Sequence, residues 1–321
     1  MLPIAATAVV ITSALYFATL ILPIHKLAKK IALFILTKSF YNGFDRLKDD
    51  LAKERTDSIV SDHHGVNFPC KNIRGENIEA LYLPSQIEEK TGNVVVICLN
   101  TTYQDHHPRN WMPYLENGAD VLMWNPTQNS PIDYSDELSE ILKKLRQENP
   151  DQVIAVKSYC ASTDPAIRAV DLQNDGAIHL IVDRGHGNAQ KIARSMSLFA
   201  GLWFVKEVIN EKFDCHGIDR IGRIQGRSLF MSPVNGDQMM DCGVENLTRD
   251  LYEQTRGQTF VELTPHDHWS NWDNHTFHEV LKFLANLGVV RSNFSEANLP
   301  EIETPGCFAR KCIPLLTKAC I

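Results

Sequence analysis

Residues 152–165 read QVIAVKSYCASTDP. Val153 to Val156 form a short apolar, β-branched run, and Pro165 can sit in the first turn of a helix, where its missing N–H costs nothing. Between them lies the polar turn Ser158-Tyr159-Cys160-Ala161-Ser162, with a thiol at its tip. The stretch therefore reads as strand, tight turn, helix. It raises the question of whether Cys160 is an inert buried thiol, common for free cysteine, or a group held out for chemistry.

The same alternation extends in both directions. GNVVVICLN (92–100), ADVLMWN (119–125), AIHLIVD (177–183), RSLFMSP (227–233) and QTFVELTP (258–265) read as strands. Two more strands are expected in SIVSDHHGVNFPCKNIRGENIEALYLPS (58–85). Helices are expected near Asn110–Leu115, over SDELSEILKKLRQ (135–147), over 165–173 and over HTFHEVLKFLANLG (275–288). Leu138, Ile141, Leu142 and Leu145 fall on one helical face. Strands alternating with helices predict an α/β domain, a mostly parallel sheet with helices on both faces, over residues 58–290. Ligands of such sheets bind beyond the C-terminal strand ends, so the residues just after each strand carry the information.

Those positions supply a set. Cys160 follows one strand, Val234-Asn235-Gly236-Asp237 follows RSLFMSP, and His266-Asp267-His268-Trp269 follows QTFVELTP. The order is nucleophile, acid, histidine. In this order and in the succession of its elements, the chain resembles the α/β-hydrolase superfamily. WNPTQNS stands where that family has the loop after its fourth strand, and LIVDRGHGNAQKIA resembles the CHLPS-like hydrolases of intracellular bacteria and the SidB-type lipase-like effectors.

The resemblance implies a nucleophile elbow at Cys160, but with departures. The family pattern is G-x-S-x-G; here serines 158 and 162 stand for both glycines and a thiol for the hydroxyl. Counting from Cys160 places Ala166 where a small helix residue is expected, whereas counting from Ser158 places Asp164 there, so Ser158 is the alternate nucleophile. A free thiol near pKa 8.5 needs a proton acceptor to act at neutral pH. His268 would serve, with His266 as its alternate, and Asp237 would hold the imidazole. Asp237 could equally start a turn. The resemblance implies Ala161 N–H as one oxyanion donor and Thr101 or Thr102 as the other; the glycines usual in that second loop are absent. His266, His268, His275 and His278 invite a metal reading, but two fall inside an expected helix, and neither a metal nor a cofactor is expected.

The ends differ from the middle. Residues 1–24, MLPIAATAVVITSALYFATLILPI, carry no charged side chain. At about 1.5 Å per residue they can cross about 30 Å of hydrocarbon. Lys26, Lys29, Lys30 and a second apolar run follow, so residues 1–37 are expected to attach the protein to a membrane with its main domain on the cytosolic side. A helix packed on the domain is the alternative. Residues 38–57 read as a charged helical linker. The apolar stretch within 186–226 could be a lid over an acyl pocket or an ordinary covering helix. Residues 291–321 form a polar linker and a tail with Cys307, Cys312 and Cys320.

With 321 residues, 44% of them hydrophobic, one large core is affordable, and a net charge of -7 argues against nucleic acid as a general partner. The eight cysteines contain no C-x-x-C pair, and a reducing compartment is the reading. The expectation is a membrane-associated hydrolase of a small-molecule or lipid acyl ester or thioester, in the manner of a secreted bacterial effector at host membranes. A hydrolase-like scaffold that binds a partner or lipid is the alternative.

Overall fold

The computed structural model describes residues 49–99, 108–127, 131–187, 216–233, 247–255, 258–263 and 272–294. In chain order the elements are α1 (Asp49–His63), β1 (Val66–Asn67), β2 (Cys70–Lys71), β3 (Asn77–Leu83), β4 (Val94–Cys98), a 3-10 turn at Pro108–Asn110 and α2 (Met112–Glu116). They continue with β5 (Asp120–Asn125), α3 (Pro131–Glu148), β6 (Ile154–Tyr159), a 3-10 turn at Cys160–Ser162, α4 (Thr163–Gln173) and β7 (Ile178–Asp183). Last come α5 (Gly217–Ile221), β8 (Ser228–Pro233), α6 (Leu247–Glu253), β9 (Thr259–Leu263) and α7 (Asn274–Asn286).

The strands form one sheet in the order β1-β3-β5-β4-β6-β7-β8-β9, with β2 paired to β3. β1, β2 and β3 pair antiparallel, β3 meets β5 antiparallel, and every pair from β5 to β9 is parallel. Parallel strands covered on both faces must be apolar throughout, and VVVIC in β4 and DVLMWN in β5 are buried at every residue. Alternate side chains go to opposite faces. Val94, Val96 and Cys98 join a core with Leu138, Ile141, Leu142 and Leu145 of α3 and Ile167 and Val170 of α4. Val95 and Ile97 join a second core with Tyr114 of α2 and Val280, Leu281 and Leu284 of α7. Each fully buried leucine of this kind contributes roughly 1.5–3 kcal/mol. The helices thus cover both faces.

The expected strands and helices of the central domain recur within a few residues. The N-terminal part is corrected. The stretch from 58 was expected to open with a strand, yet α1 runs on to His63. Ile59 and Val60 pack on the second core, and the His63 ring meets Trp111 edge-on with centroids 4.7 Å apart. The helix then stops because His64 turns left-handed and Gly65 N–H closes on Val60 O at 3.0 Å. Only two apolar residues hold this last turn to the core, too few to show a helical stripe in sequence. At the other end the described chain stays attached past 290: Arg291 N–H donates to Asn117 O, and Phe294 packs beside the His278 ring.

The strand order reverses once along the parallel part of the sheet. From β4 the chain moves to β5 on one side, then crosses to β6 on the other side of β4. In open parallel sheets, ligands bind outside the C-terminal strand ends at such a reversal, here the ends of β4 and β6. Cys160 is the first residue beyond β6.

Among the described residues no helix is long and apolar enough to cross a membrane. The apolar segment 1–37, most of the linker 38–57, the middle of 186–226 and the tail from 295 lie outside the described residues.

Candidate active site

The turn after β6 has the geometry of an elbow. Tyr159 is still extended, with φ -137 and ψ 133, and Cys160 then swings to φ +54 before Ala161 and Ser162 enter a 3-10 turn that leads into α4. A left-handed L-residue costs roughly 1–2 kcal/mol. Four described non-glycine residues adopt positive φ. His64 and Asn174 follow helix ends, an ordinary place for it. Cys160 and Arg184 instead follow adjacent parallel strands, at the C-terminal edge of the sheet.

The two serines that flank this turn, Ser158 and Ser162, are both fully buried. Ser158 Oγ donates to Ile181 O on β7 at 3.0 Å and lies 3.3 Å from Thr163 Oγ1. Ser162 Oγ receives Tyr159 N–H at 3.0 Å and sits 2.6 Å from Cys98 O at the end of β4. The hydroxyls thus bridge the elbow to both neighbouring strands, which glycine could not do. Ser158 is placed inside the contact between sheet and helix, whereas Cys160 is at the turn itself, with 9% of its surface exposed. Ala161 follows it, buried, at the start of the helical segment. Crowding here is severe: a Cβ on Gly185 would come within 2.1 Å of Thr163 Oγ1, so only glycine lets the chain after β7 pass.

A layer of buried charge underlies this edge. Lys157, two residues before the end of β6, is 2% exposed, and its Nζ lies 4.0 Å from the centroid of the Trp272 ring and 5.7 Å from that of Tyr114. Burial pushes the ammonium down to about 8; the Asp183 carboxylate pulls it back up, and the Arg184 cation pushes it down further. Asp183, the last residue of β7, is gripped by Arg184 at 2.8 Å and 3.1 Å and receives Trp272 Nε1–H at 2.9 Å. Sequence reading noted Asp183-Arg184 only as a mark of resemblance and passed over Lys157. The available signal was a lysine closing an apolar run in a strand meant to be buried.

A buried carboxylate also braces the next strand end. Glu137 of α3 accepts Thr127 N–H at 3.1 Å and the Thr127 hydroxyl, which secures the chain leaving β5. Burial raises the Glu137 carboxyl above its ordinary range, against the hydrogen bonds from Thr127.

Asp237, His268, its alternate His266, Thr101 and Thr102 lie outside the described residues. The strands they follow end at Pro233, Leu263 and Cys98, all on the Cys160 side of the parallel sheet. His275 and His278 lie on α7, where the His278 ring meets Phe294 at 5.4 Å. Among the described residues no three metal-ligating side chains gather.

No protein-family model and no curated sequence matches the chain. Solved structures do. It is similar to an esterase from Pyrococcus furiosus with a TM-score of 0.55 and 15% identity, over 71% of this chain and 93% of that one. It is similar to the esterase domain of a Rhodothermus marinus protein with a TM-score of 0.50 and 14% identity, over 69% of this chain and 97% of that one. A Pyrococcus horikoshii acylaminoacyl peptidase matches with a TM-score of 0.50 and 12% identity, over 73% of this chain but 44% of the peptidase. At these identities the likeness establishes architecture, and architecture does not fix a substrate. The described residues between 58 and 294 share the α/β fold of these esterases, a mostly parallel sheet covered by helices, with Cys160 at the turn between β6 and α4.

Proposed function

We propose that this protein is an acyl hydrolase that cleaves an ester or thioester through Cys160. The observation that carries the reading is the left-handed Cys160 between a parallel strand and a helix, at the sheet edge where the strand order reverses. Strained non-glycine backbone persists where the surrounding structure over-determines it, and such places cluster at active sites. The esterases and the peptidase that share the fold all act on acyl groups.

In this reading His268 takes the Cys160 proton and the sulfur attacks the carbonyl carbon. The tetrahedral oxyanion rests on Ala161 N–H and on a donor from Thr101 or Thr102. Collapse expels the alcohol or thiol, which leaves with the proton from His268, and an acyl-cysteine remains. Water, deprotonated by His268, hydrolyses it to the acid and free thiol. Asp237 holds the imidazole tautomer and steadies the imidazolium. We assign the substrate to lipid or acylated molecules because the uncharged segment 1–24 and the lysines after it would keep the domain at the cytosolic face of a membrane. A SidB-type effector of an intracellular bacterium would meet such substrates.

The test uses full-length protein in mild detergent with p-nitrophenyl butyrate and a short acyl thioester. Turnover, with acyl-cysteine trapped at Cys160 and lost in Cys160→Ala, is the expected result. Full activity in Cys160→Ala overturns the mechanism, and a folded protein inert to both substrates and to thiol probes would favour a binding scaffold. Carbonate extraction tests the membrane assignment: full-length protein should stay with membranes, and a variant lacking 1–37 should be released.

A further inference from the structure

The left-handed Cys160 raises the question of what holds the turn in that conformation. Ser162 pins the backbone of Tyr159, the residue just before the thiol, by accepting its N–H at 3.0 Å and lying 2.9 Å from its carbonyl oxygen. The Tyr159 ring is held separately. Tyr159 pairs with Asp183 in the parallel register of β6 and β7, so the residue after Asp183 stands level with Cys160. That residue is Arg184, and its guanidinium carbon lies 5.1 Å from the Tyr159 ring centroid, within cation–π reach.

The guanidinium has little freedom. Both its Nε and Nη2 bond the Asp183 carboxylate, Arg184 N–H donates to Met231 O at 2.9 Å, and Trp272 Nε1–H tethers the same carboxylate from the other side. Arg184 and Asp183 are 5% and 4% exposed. Stability is a poor reason to bury such a pair, since apolar residues of similar volume often serve as well or better. Arg184 is also left-handed at φ +48, a second strained residue at the same edge. An arginine bent against its backbone preference, fixed by two strands and an indole, and laid on the ring before the nucleophile is arranged for position.

We propose that Arg184 is a positioning residue for the Cys160 turn, acting through the Tyr159 ring. The proposal rests on Cys160 as the nucleophile. Asp183 and Trp272 fix the guanidinium, the guanidinium fixes the ring, and the ring with Ser162 sets the orientation of the peptide that enters Cys160.

The experiment compares Tyr159→Phe, Tyr159→Leu and Arg184→Lys in the full-length protein. It reads kcat and KM on p-nitrophenyl butyrate, the rate of Cys160 alkylation by iodoacetamide followed on its tryptic peptide, and the thermal midpoint. Tyr159→Phe keeps the ring and should match wild type. Tyr159→Leu should lower kcat about ten- to a hundredfold with little change in KM, because a misplaced nucleophile costs rate rather than affinity. It should slow alkylation and leave the midpoint nearly unchanged. Arg184→Lys keeps the charge, loses the planar fork and should show the same loss. Wild-type kcat and alkylation in Tyr159→Leu overturn the proposal, and so does an equal loss in Tyr159→Phe. Should Arg184→Lys fail to fold, the two Tyr159 variants still decide the matter. If Cys160→Ala retains turnover, the nucleophile assignment falls while the alkylation series still reports on the turn.

Discussion

The two ends of β6 and β7 are built from the same sheet and satisfy their polar groups in opposite ways. At the N-terminal ends, side chains close the turns on backbone. Asn93 Oδ1 receives Val153 N–H at 2.8 Å, Asn93 Nδ2 donates to Gly288 O at 2.7 Å, and Gln152 Nε2 donates to Gly92 O at 2.8 Å. His179, near the start of β7, accepts Arg227 N–H on Nδ1 at 2.9 Å. A backbone N–H can only donate, so this imidazole is neutral and carries its proton on Nε2. At the C-terminal ends stand the left-handed Cys160 and Arg184 and the buried charges of Lys157, Asp183 and Arg184. The connections differ as well. Residues 149–153 and 174–177 join helix to strand at the first end, while at the second β6 passes straight into the turn at Cys160. Short stitched turns hold a sheet together, whereas binding groups are usually displayed on loops at a rigid edge.

The contrast breaks most sharply at Cys160. Cys160→Ala should reduce turnover about a thousandfold or more, as loss of a nucleophile does, while its urea midpoint stays close to wild type. Turnover and denaturation on the same preparation decide this, and retained turnover would remove the functional half of the comparison. The opposite behaviour is expected at Gly226, before β8. A Cβ there would lie 1.8 Å from Ile178 O, a backbone atom that cannot swing away. Gly226→Ala should cost about 3 kcal/mol or more through forced overpacking, with kcat of the folded fraction unchanged.

His179 sharpens the comparison through pH. Burial, helped by the nearby Arg227 cation, lowers this imidazole to about 4 from its ordinary 6.5, against the pull of Asp175. Between those values the unfolded chain binds the proton and the folded chain does not, so stability rises with pH across the window. The contribution is fully present above pH 6.5 and is lost as pH falls toward 4. Urea midpoints at pH 7 and 4.5 should show wild type losing about 2–3 kcal/mol relative to His179→Asn, on a cost of 1.36 kcal/mol per pKa unit. Equal slopes in the two proteins would mean that His179 charges without penalty. The smallest effect is backbone strain. Cys160→Gly should be more stable than Cys160→Ala by about 1 kcal/mol, because glycine adopts positive φ without a Cβ clash. Asn174→Gly, after the end of α4, should gain far less, since asparagine tolerates that conformation.

Much of the scaffold was legible residue by residue. VVVIC, DVLMWN and IHLIVD are apolar over the length of a buried parallel strand, and the four-residue spacing of Leu138, Ile141, Leu142 and Leu145 is a helix stripe. The end of α1 was not legible, because Ile59 and Val60 are too few to outline a face and are held by a core drawn from distant segments. α5 and α6 went unread because five and seven residues are too short for a periodic signal. Cys160 stands out in sequence through its strand-turn-helix setting, whereas its left-handed backbone is a feature of the folded chain. The layer of Lys157, Asp183, Arg184 and Trp272 was missed because its members are scattered over more than a hundred residues and meet only across β6, β7 and the start of α7.

The sequence alone determined an alternating α/β chain, a thiol at a strand-to-helix turn, and an uncharged stretch over residues 1–24. Each is written in neighbouring residues, through apolar periodicity, turn chemistry or the absence of charge. Tertiary structure decided the strand order that reverses beside Cys160, the burial of Ser158 against Ile181 O, and the grip of Asp183 and Trp272 on Arg184. Each of those depends on which strands become neighbours. That choice is made by the packing of both faces of the sheet at once, and no local stretch encodes it.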